Sequence, residues 1–228
     1  MTEQSLWGAC TARHFRTKAE WLVARNAYVT ASDAAACTME HPYKTTDDVV
    51  AVKATGQDDF TGNALTWMGS AREANNIDIW GRCAGVQPRS DVDPGHTLLV
   101  SNEYPHLACT LDAWWAGDRE RTAPRELWVD RPLNPDALPY PIEAKNVRSR
   151  SRSHWVKFRP GDPKSRLYHY WAQVQLQLLV TDMPFGVLFA CVDAAEVYSH
   201  IIEADPAYHE RLIAGAKALL DRVDDAKF

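Results

Sequence analysis

Apolar positions recur along this chain first at helical and then at strand spacing. In "TKAEWLVARNAYV", Trp21, Leu22 and Ala24 stand among charges and predict a helix. A turn follows near Tyr28 to Ser32, and "SDAAACTM" opens a second helix with Ser32 as its cap. Residues 43 to 60 are mixed and polar, helix or loop. "NALTWMGSAREANNIDIWGRCAG" sets Ala64, Trp67, Ala71, Ala74 and Ile77 in helical order, which predicts one long helix ending before Gly81 with Glu73 in its middle.

The period then changes. "HTLLVS", "LACTLDAWWA", "RELWVD" and "YPIEAKNV" are short and rich in β-formers, separated by Pro, Gly and Asp, and read as strands of a mostly antiparallel meander. Helical spacing returns in "SRLYHYWAQVQLQLLVTD", with Leu167, Trp171, Val174 and Leu178 on one face. Two more strands, "FGVLFACVD" and "AEVYSHIIEA", precede an amphipathic closing helix, "AYHERLIAGAKALLDRVDDA". The order predicts an α/β (α+β) fold, a small mixed central sheet flanked by helices. With no repeat and no Gly/Ser linker, residues 1–228 are expected to form a single domain.

Composition narrows the chemistry. The 228 residues are 46% hydrophobic and 24% charged, the balance of an ordinary globular protein, with no apolar run of membrane-spanning length and no signal-peptide plan at the start. A cytoplasmic protein with no membrane partner is the expectation. The five cysteines are scattered and contain no C-x-x-C pair, so they are expected as reduced thiols rather than as zinc ligands or a disulfide framework. The eight histidines have no ligand spacing, and neither a Walker loop nor GxGxxG occurs. Any metal is therefore expected on oxygen.

The candidate chemistry lies in "PYPIEAKNVRSRSRSHWVKFRP". On a strand, positions i and i+2 share a face, so Glu143 and Lys145 stand side by side. A carboxylate holds a hard divalent cation and a neighbouring ammonium steadies water or phosphate charge. One carboxylate is rarely enough, and Asp112 in "CTLDAWW" is the residue available to complete a pair across the sheet. E-x-K alone is common as an exposed ion pair.

Taken together, "WMGSARE", "ACTLDAWW", "IEAKN" and "YHYWAQVQLQLLVT" resemble the lambda exonuclease (YqaJ-like, phage-type alkaline exonuclease) branch of the PD-(D/E)XK nuclease superfamily, from about Trp21 to Asp193. The resemblance implies a restriction-endonuclease-like core in which Asp112 and Glu143 bind metal, with the Ala144 carbonyl as a further ligand. It implies Lys145 as the active-site lysine, Gln173 as the helix residue orienting water or phosphate, and Glu73, four after Gly69, as the acid supporting the metal site. The family's Arg and Ser seven apart fall on Arg25 and Ser32, with Thr110 where relatives carry a small hydroxyl residue. These three would grip a terminal 5′-phosphate, as a guanidinium and hydroxyl donors can. Leu111 stands where the superfamily has Pro, and "DAWW" replaces Asp-Gly. Leu65 is the candidate for the apolar wedge that splits the duplex end.

By the same resemblance the cofactor is Mg²⁺, with Mn²⁺ as a possible substitute. The substrate is a double-stranded DNA end with a 5′-phosphate, degraded 5′ to 3′ to mononucleotides. Partners would be two further copies in a homotrimer ring and a single-strand annealing recombinase. Lys145 is expected to hold or deprotonate the attacking water, which requires a pKa depressed well below its ordinary value. The chain carries a net charge of −5, yet residues 148–166 hold seven cations against one acid. Arg148, Arg150, Arg152 and Lys157, next to Glu143, would draw a polyanion to that face. Two other readings stay open: an endonuclease of the restriction or junction-resolving type, and a DNA-binding module with a dead nuclease fold.

Overall fold

A computed structural model describes residues 8–56, 62–89, 96–115, 128–129, 139–193 and 196–227. Most of "RELWVD", part of the 43–60 stretch and the side chain of Leu65 lie outside them.

The first strand, β1 (Cys10–His14), has no hydrophobic alternation to announce it, since four of its five residues are exposed. It is followed by α1 (Lys18–Arg25), whose start is fixed by a capping box between Thr17 and Glu20. Strand β2 (Val29–Thr30) leads to a 3-10 turn over Ala31–Asp33 and one helical turn, α2 (Ala34–Cys37). Ser32 thus lies inside the turn rather than capping a helix; the backbone N–H of Thr30 is met instead by Asp33 Oδ2 at 3.1 Å. The polar stretch becomes α3 (Thr46–Thr55), opened by Thr45 and Asp48 and closed by left-handed Gly56.

Helix α4 (Ala64–Ala84) is the predicted long helix, but it runs through Gly81 and stops where Gly85 takes a φ of +67°. Gly81 answers a different need. A Cβ there would stand 2.5 Å from Cδ of Pro88 and 2.9 Å from the Val86 carbonyl, so the returning chain can close on the helix only at a glycine.

The predicted strands do not make one meander. β3 (Thr97–Ser101) and β4 (Leu107–Cys109) join β1 and β2 in a sheet of order β1-β3-β4-β2. "LACTLDAWWA" breaks at Thr110–Asp112, and its second half, β5 (Ala113–Trp115), crosses to a different sheet. There β6 (Trp128–Val129) and β7 (Tyr140–Val147) meet β8 (Phe185–Val192) and β9 (Glu196–Glu203) in the order β5-β7-β8-β9-β6. β7 and β8 are parallel because α5 (Arg152–Val156) and α6 (Tyr168–Thr181) make the crossover between them. The expected mixed sheet flanked by helices is this second one.

Its two faces are covered differently. Ile142 and Ala144 of β7 face α4, where Trp80 is fully buried, stacks on Phe189 at 5.6 Å and donates its indole N–H to Ser199. On the other face α6 packs between the two sheets, and α7 (Pro206–Asp225) closes over it with Tyr208, Leu212, Ala216 and Leu219. Leu167, Trp171, Val174 and Leu178 are buried as their spacing predicts. Removing Trp80 alone would cost about 3–5 kcal/mol. No helix among the described residues is long and apolar enough to cross a membrane, and all five cysteines are free.

Candidate active site

Strand β7 alternates. While Ile142 and Ala144 enter the core under α4, Glu143 and Lys145 turn to the opposite face, toward α6. Asp112 sits one step before β5, whose antiparallel register pairs Ala113 with Ile142, so continuing that register sets Asp112 across from Glu143. Asp112 Oδ2 accepts the Ala144 backbone N–H at 2.8 Å. The break that ends β4 and starts β5 therefore delivers the acid to the strand that carries its partner.

Glu143 is almost fully buried, with 1% of its surface exposed, and both oxygens are engaged. Oε1 takes Lys145 Nζ as an ion pair and Gln173 Nε2 at 2.6 Å; Oε2 takes Gln177 Nε2, also at 2.6 Å. Gln173 and Gln177 are one helical turn apart on α6 and reach down as a fork, one amide to each oxygen. The motif reading picks out Gln173 alone, although the i, i+4 spacing in "AQVQLQ" was the available signal for Gln177. Gln175, between them, faces away: it donates to the Glu203 carbonyl and accepts the Asp205 N–H at the start of α7.

Electrostatics show crowding. Burial raises the Asp112 pKa well above the usual carboxylate range, and Glu143 and Glu73 raise it further against the opposing pull of Lys145. Glu73 is raised by burial and then by Glu143. Lys145 departs from the expectation of a depressed pKa. Burial pulls it down, but Glu143, Asp112 and the Tyr170 ring 4.9 Å from Nζ outweigh that, and the net direction is upward. With these acids around it the ammonium form of Lys145 is favoured over the neutral amine.

Asp112, Glu143, Ala144, Lys145, Gln173 and Glu73 line one cavity of about 630 Å³, and Arg25, Ser32 and Thr110 line the same cavity. Arg25 Nη2 donates to Ser32 Oγ at 3.0 Å and Thr30 Oγ1 at 3.3 Å, and its guanidinium lies 4.4 Å from the Trp21 ring. Below the turn, buried Asp33 is paired with buried Lys53 at 3.0 Å and with Lys44 at 3.4 Å, which holds its pKa down at about 2 despite burial. Thr110 is committed differently from the expectation. Its hydroxyl accepts from Trp21 Nε1 and donates to the Thr97 carbonyl, so it anchors the indole under Arg25 instead of presenting a hydrogen to the cavity.

The basic run divides. Arg148 and Arg150 are exposed and line an adjoining cavity. Arg152 is closed on Glu196 at 2.6 Å, and Lys157, also exposed, lines neither cavity. Among the described residues no three acidic, histidine or thiol groups stand close enough to hold a metal ion as they lie. The donor set nonetheless fits a hard divalent cation: Asp112, Glu143, Glu73 and the Ala144 backbone line the cavity, no histidine or thiol is among its described lining residues, and a cation would relieve the charge crowding that raises Asp112 and Glu73.

Residues 20–184 match the model of the YqaJ-like viral recombinase domain. The chain belongs to that family. Among solved structures, an alkaline exonuclease from Laribacter hongkongensis is 17% identical, with 91% of this chain and 93% of that chain covered and a TM-score of 0.61. That enzyme is also known in complex with dAMP. A phage-related exonuclease from Haemophilus somnus 129PT is 12% identical over 87% of this chain and 94% of that one, again with a TM-score of 0.61. No curated protein sequence matches the chain. At these identities the two structures show that this YqaJ-like chain shares their fold.

Proposed function

We propose that this YqaJ-like protein is a divalent-metal-dependent exonuclease that degrades linear duplex DNA 5′ to 3′, releasing 5′-mononucleotides and leaving 3′ tails for a single-strand annealing recombinase. One observation carries the reading: the Asp112/Glu143/Lys145 cluster and the Arg25/Ser32 pair open into the same cavity of about 630 Å³. An endonuclease has no use for a cationic end-grip beside its carboxylates. A dead fold has no use for a buried, doubly hydrogen-bonded Glu143.

In this reading Arg25 and Ser32 bind the terminal phosphate, which sets the next phosphodiester against Asp112 and Glu143. Asp112, Glu143 and the Ala144 carbonyl would hold Mg²⁺, with Mn²⁺ as a substitute, and Glu73 would support them from α4. When bound, the metal supplies a Lewis acid that offsets charge developing on the scissile phosphate and leaving oxygen and makes water more acidic. Gln173 and Gln177 hold the Glu143 carboxylate in orientation. Lys145 Nζ, held protonated, neutralises phosphate charge as it builds. Assembly as a trimeric ring is part of the proposal, and the mass of the protein in solution tests it.

The functional test is a digest of linear duplex with 5′-phosphate or 5′-hydroxyl ends, and of closed circles, with Mg²⁺ or EDTA. Loss of the linear phosphorylated form only with metal supports the exonuclease. Cutting of closed circles overturns it in favour of an endonuclease, and no digestion under any condition overturns it in favour of a binding module.

A further inference from the structure

We propose that the cavity on the far side of Lys145 is a second phosphate station, holding the phosphodiester one nucleotide 3′ of the scissile bond. The inference rests on the exonuclease reading and assigns the next step of the strand's path. This cavity, about 610 Å³, shares Thr66, Ser70, Glu73, Ala144 and Lys145 with the first, so the two are one cleft with Lys145 at its waist. Its volume suits a nucleotide-sized ligand, for which pockets run from about 300 to 1,000 Å³.

The far wall carries Arg148, Arg150 and Arg166. All three are exposed, and among the described residues none is joined to a carboxylate, whereas Arg152, two positions on from Arg150, is spent on Glu196. Their placement follows from the elements that build the site. Arg148 and Arg150 leave the end of β7, the strand of Glu143 and Lys145, through the 3-10 turn Ser149–Ser151. Arg166 lies two residues before α6, the helix of Gln173 and Gln177. Both elements that hold the hydrolytic cluster therefore aim arginines into the same space. Among the described residues on its wall Glu73 is the one carboxylate, and it stands at the waist.

Three unpaired guanidiniums around one space repel each other and favour an anion, and their planar donor forks match phosphate oxygens. The exposed ring of Tyr43 at the rim adds a flat surface for the attached sugar and base. Along the cleft the cations come in the order Arg25, Lys145, then the arginine trio. That order matches a strand with its terminal phosphate at the first, the scissile bond at the second and the following linkage at the third. The phosphate of a released mononucleotide is an anion the same arginines could bind, so the test must separate it from the linkage.

The test is equilibrium binding, in EDTA so that nothing is cut, of 5′-phosphorylated duplexes carrying one uncharged methylphosphonate. For the wild-type protein, neutralising the second linkage from the 5′ end should weaken binding roughly tenfold, the scale of a charge-assisted hydrogen bond, while neutralising the twelfth should not. The Arg148→Ala/Arg150→Ala/Arg166→Ala variant should bind the unmodified duplex about as weakly and lose nothing more when the second linkage is neutralised. Arg150→Ala alone, at an exposed side chain, carries the same comparison should the triple variant fail to fold. An equal penalty in variant and wild type overturns the proposal, as does no penalty in the wild type. A variant altered only in how strongly free dAMP competes with the duplex overturns it in favour of a product site. A wild-type protein that binds none of the duplexes overturns the exonuclease reading with it, which distinguishes the two failures.

Discussion

Replacing Gln177 with Leu tests the fork that holds Glu143. The substitution keeps the approximate shape of the side chain and removes the 2.6 Å hydrogen bond to Glu143 Oε2. A hydrogen bond to a charged group contributes about 1.5–3 kcal/mol, against about 0.5–1.5 between neutral groups. Part of that is offset, because Gln177 Oε1 is buried without a partner and leucine abolishes that orphan, a relief of about 1 kcal/mol. The net loss is then about 0.5–2 kcal/mol, which lowers the Tm of a chain this long by about 1–8 °C. In a Glu143→Gln background the bond is between neutral groups, and the same leucine substitution should be nearly neutral. Urea or thermal unfolding of the four proteins closes the cycle, with a coupling of about 1 kcal/mol or more expected. Equal losses in both backgrounds, additive to within about 0.3–0.5 kcal/mol, would refute the idea that Gln177 acts on the carboxylate charge.

Asp112→Asn should stabilise the protein at pH 8, because burial and the charges of Glu143 and Glu73 make ionised Asp112 unfavourable; the gain should vanish below its ordinary value of 3.8, where the wild-type acid is protonated folded or unfolded. Thermal scans at pH 8 and pH 3 check it, and millimolar Mg²⁺ should raise the Tm of the wild type but not of this variant. Asp33 runs the other way. Its pKa near 2 lies below its ordinary 3.8, so it adds about 2 kcal/mol that is present above pH 4 and lost as the pH falls through 2, and Asp33→Asn should lack that slope in unfolding measured from pH 5 to pH 2. Gly81→Ala should cost about 1–3 kcal/mol, through the clash of the new methyl with Pro88 and Val86, measured by urea unfolding.

Much of the architecture was legible because it is written in periodicity: α6 and α7 each bury a stripe, β8 is a continuous apolar strand at the centre of its sheet, and β7 beside it alternates. Helix α4 buries its stripe only in its second half, at Ile77, Trp80 and Ala84, and leaves Trp67, Ala71 and Ala74 exposed. What periodicity cannot report is partnership. It gives no sign that "LACTLDAWWA" would leave one sheet at Asp112 and enter another, although that crossing is what sets Asp112 opposite Glu143. β1 was silent because its side chains face out, and its place is fixed by pairing with β3. Gly81 and Ser32 carry the residue types of a helix stop and a helix cap, but tertiary contact with Pro88 and the buried Asp33–Lys53 pair decided their roles. That Asp112, Glu143 and Lys145 stand together was legible from motif and alternation. Gln177 and the direction of the Lys145 shift needed the packed site, where charges from three elements act on one another.

In the proposed function one cleft grips a terminal 5′-phosphate and thereby presents the next bond to Asp112 and Glu143. The most direct measurement is the ratio of digestion rates on 5′-phosphoryl and 5′-hydroxyl duplex ends, for the wild type and for Arg25→Ala. The wild type should favour the phosphorylated end by about tenfold or more, and Arg25→Ala should bring the two rates together by slowing that end alone. A ratio left unchanged by the loss of Arg25 would contradict the claim.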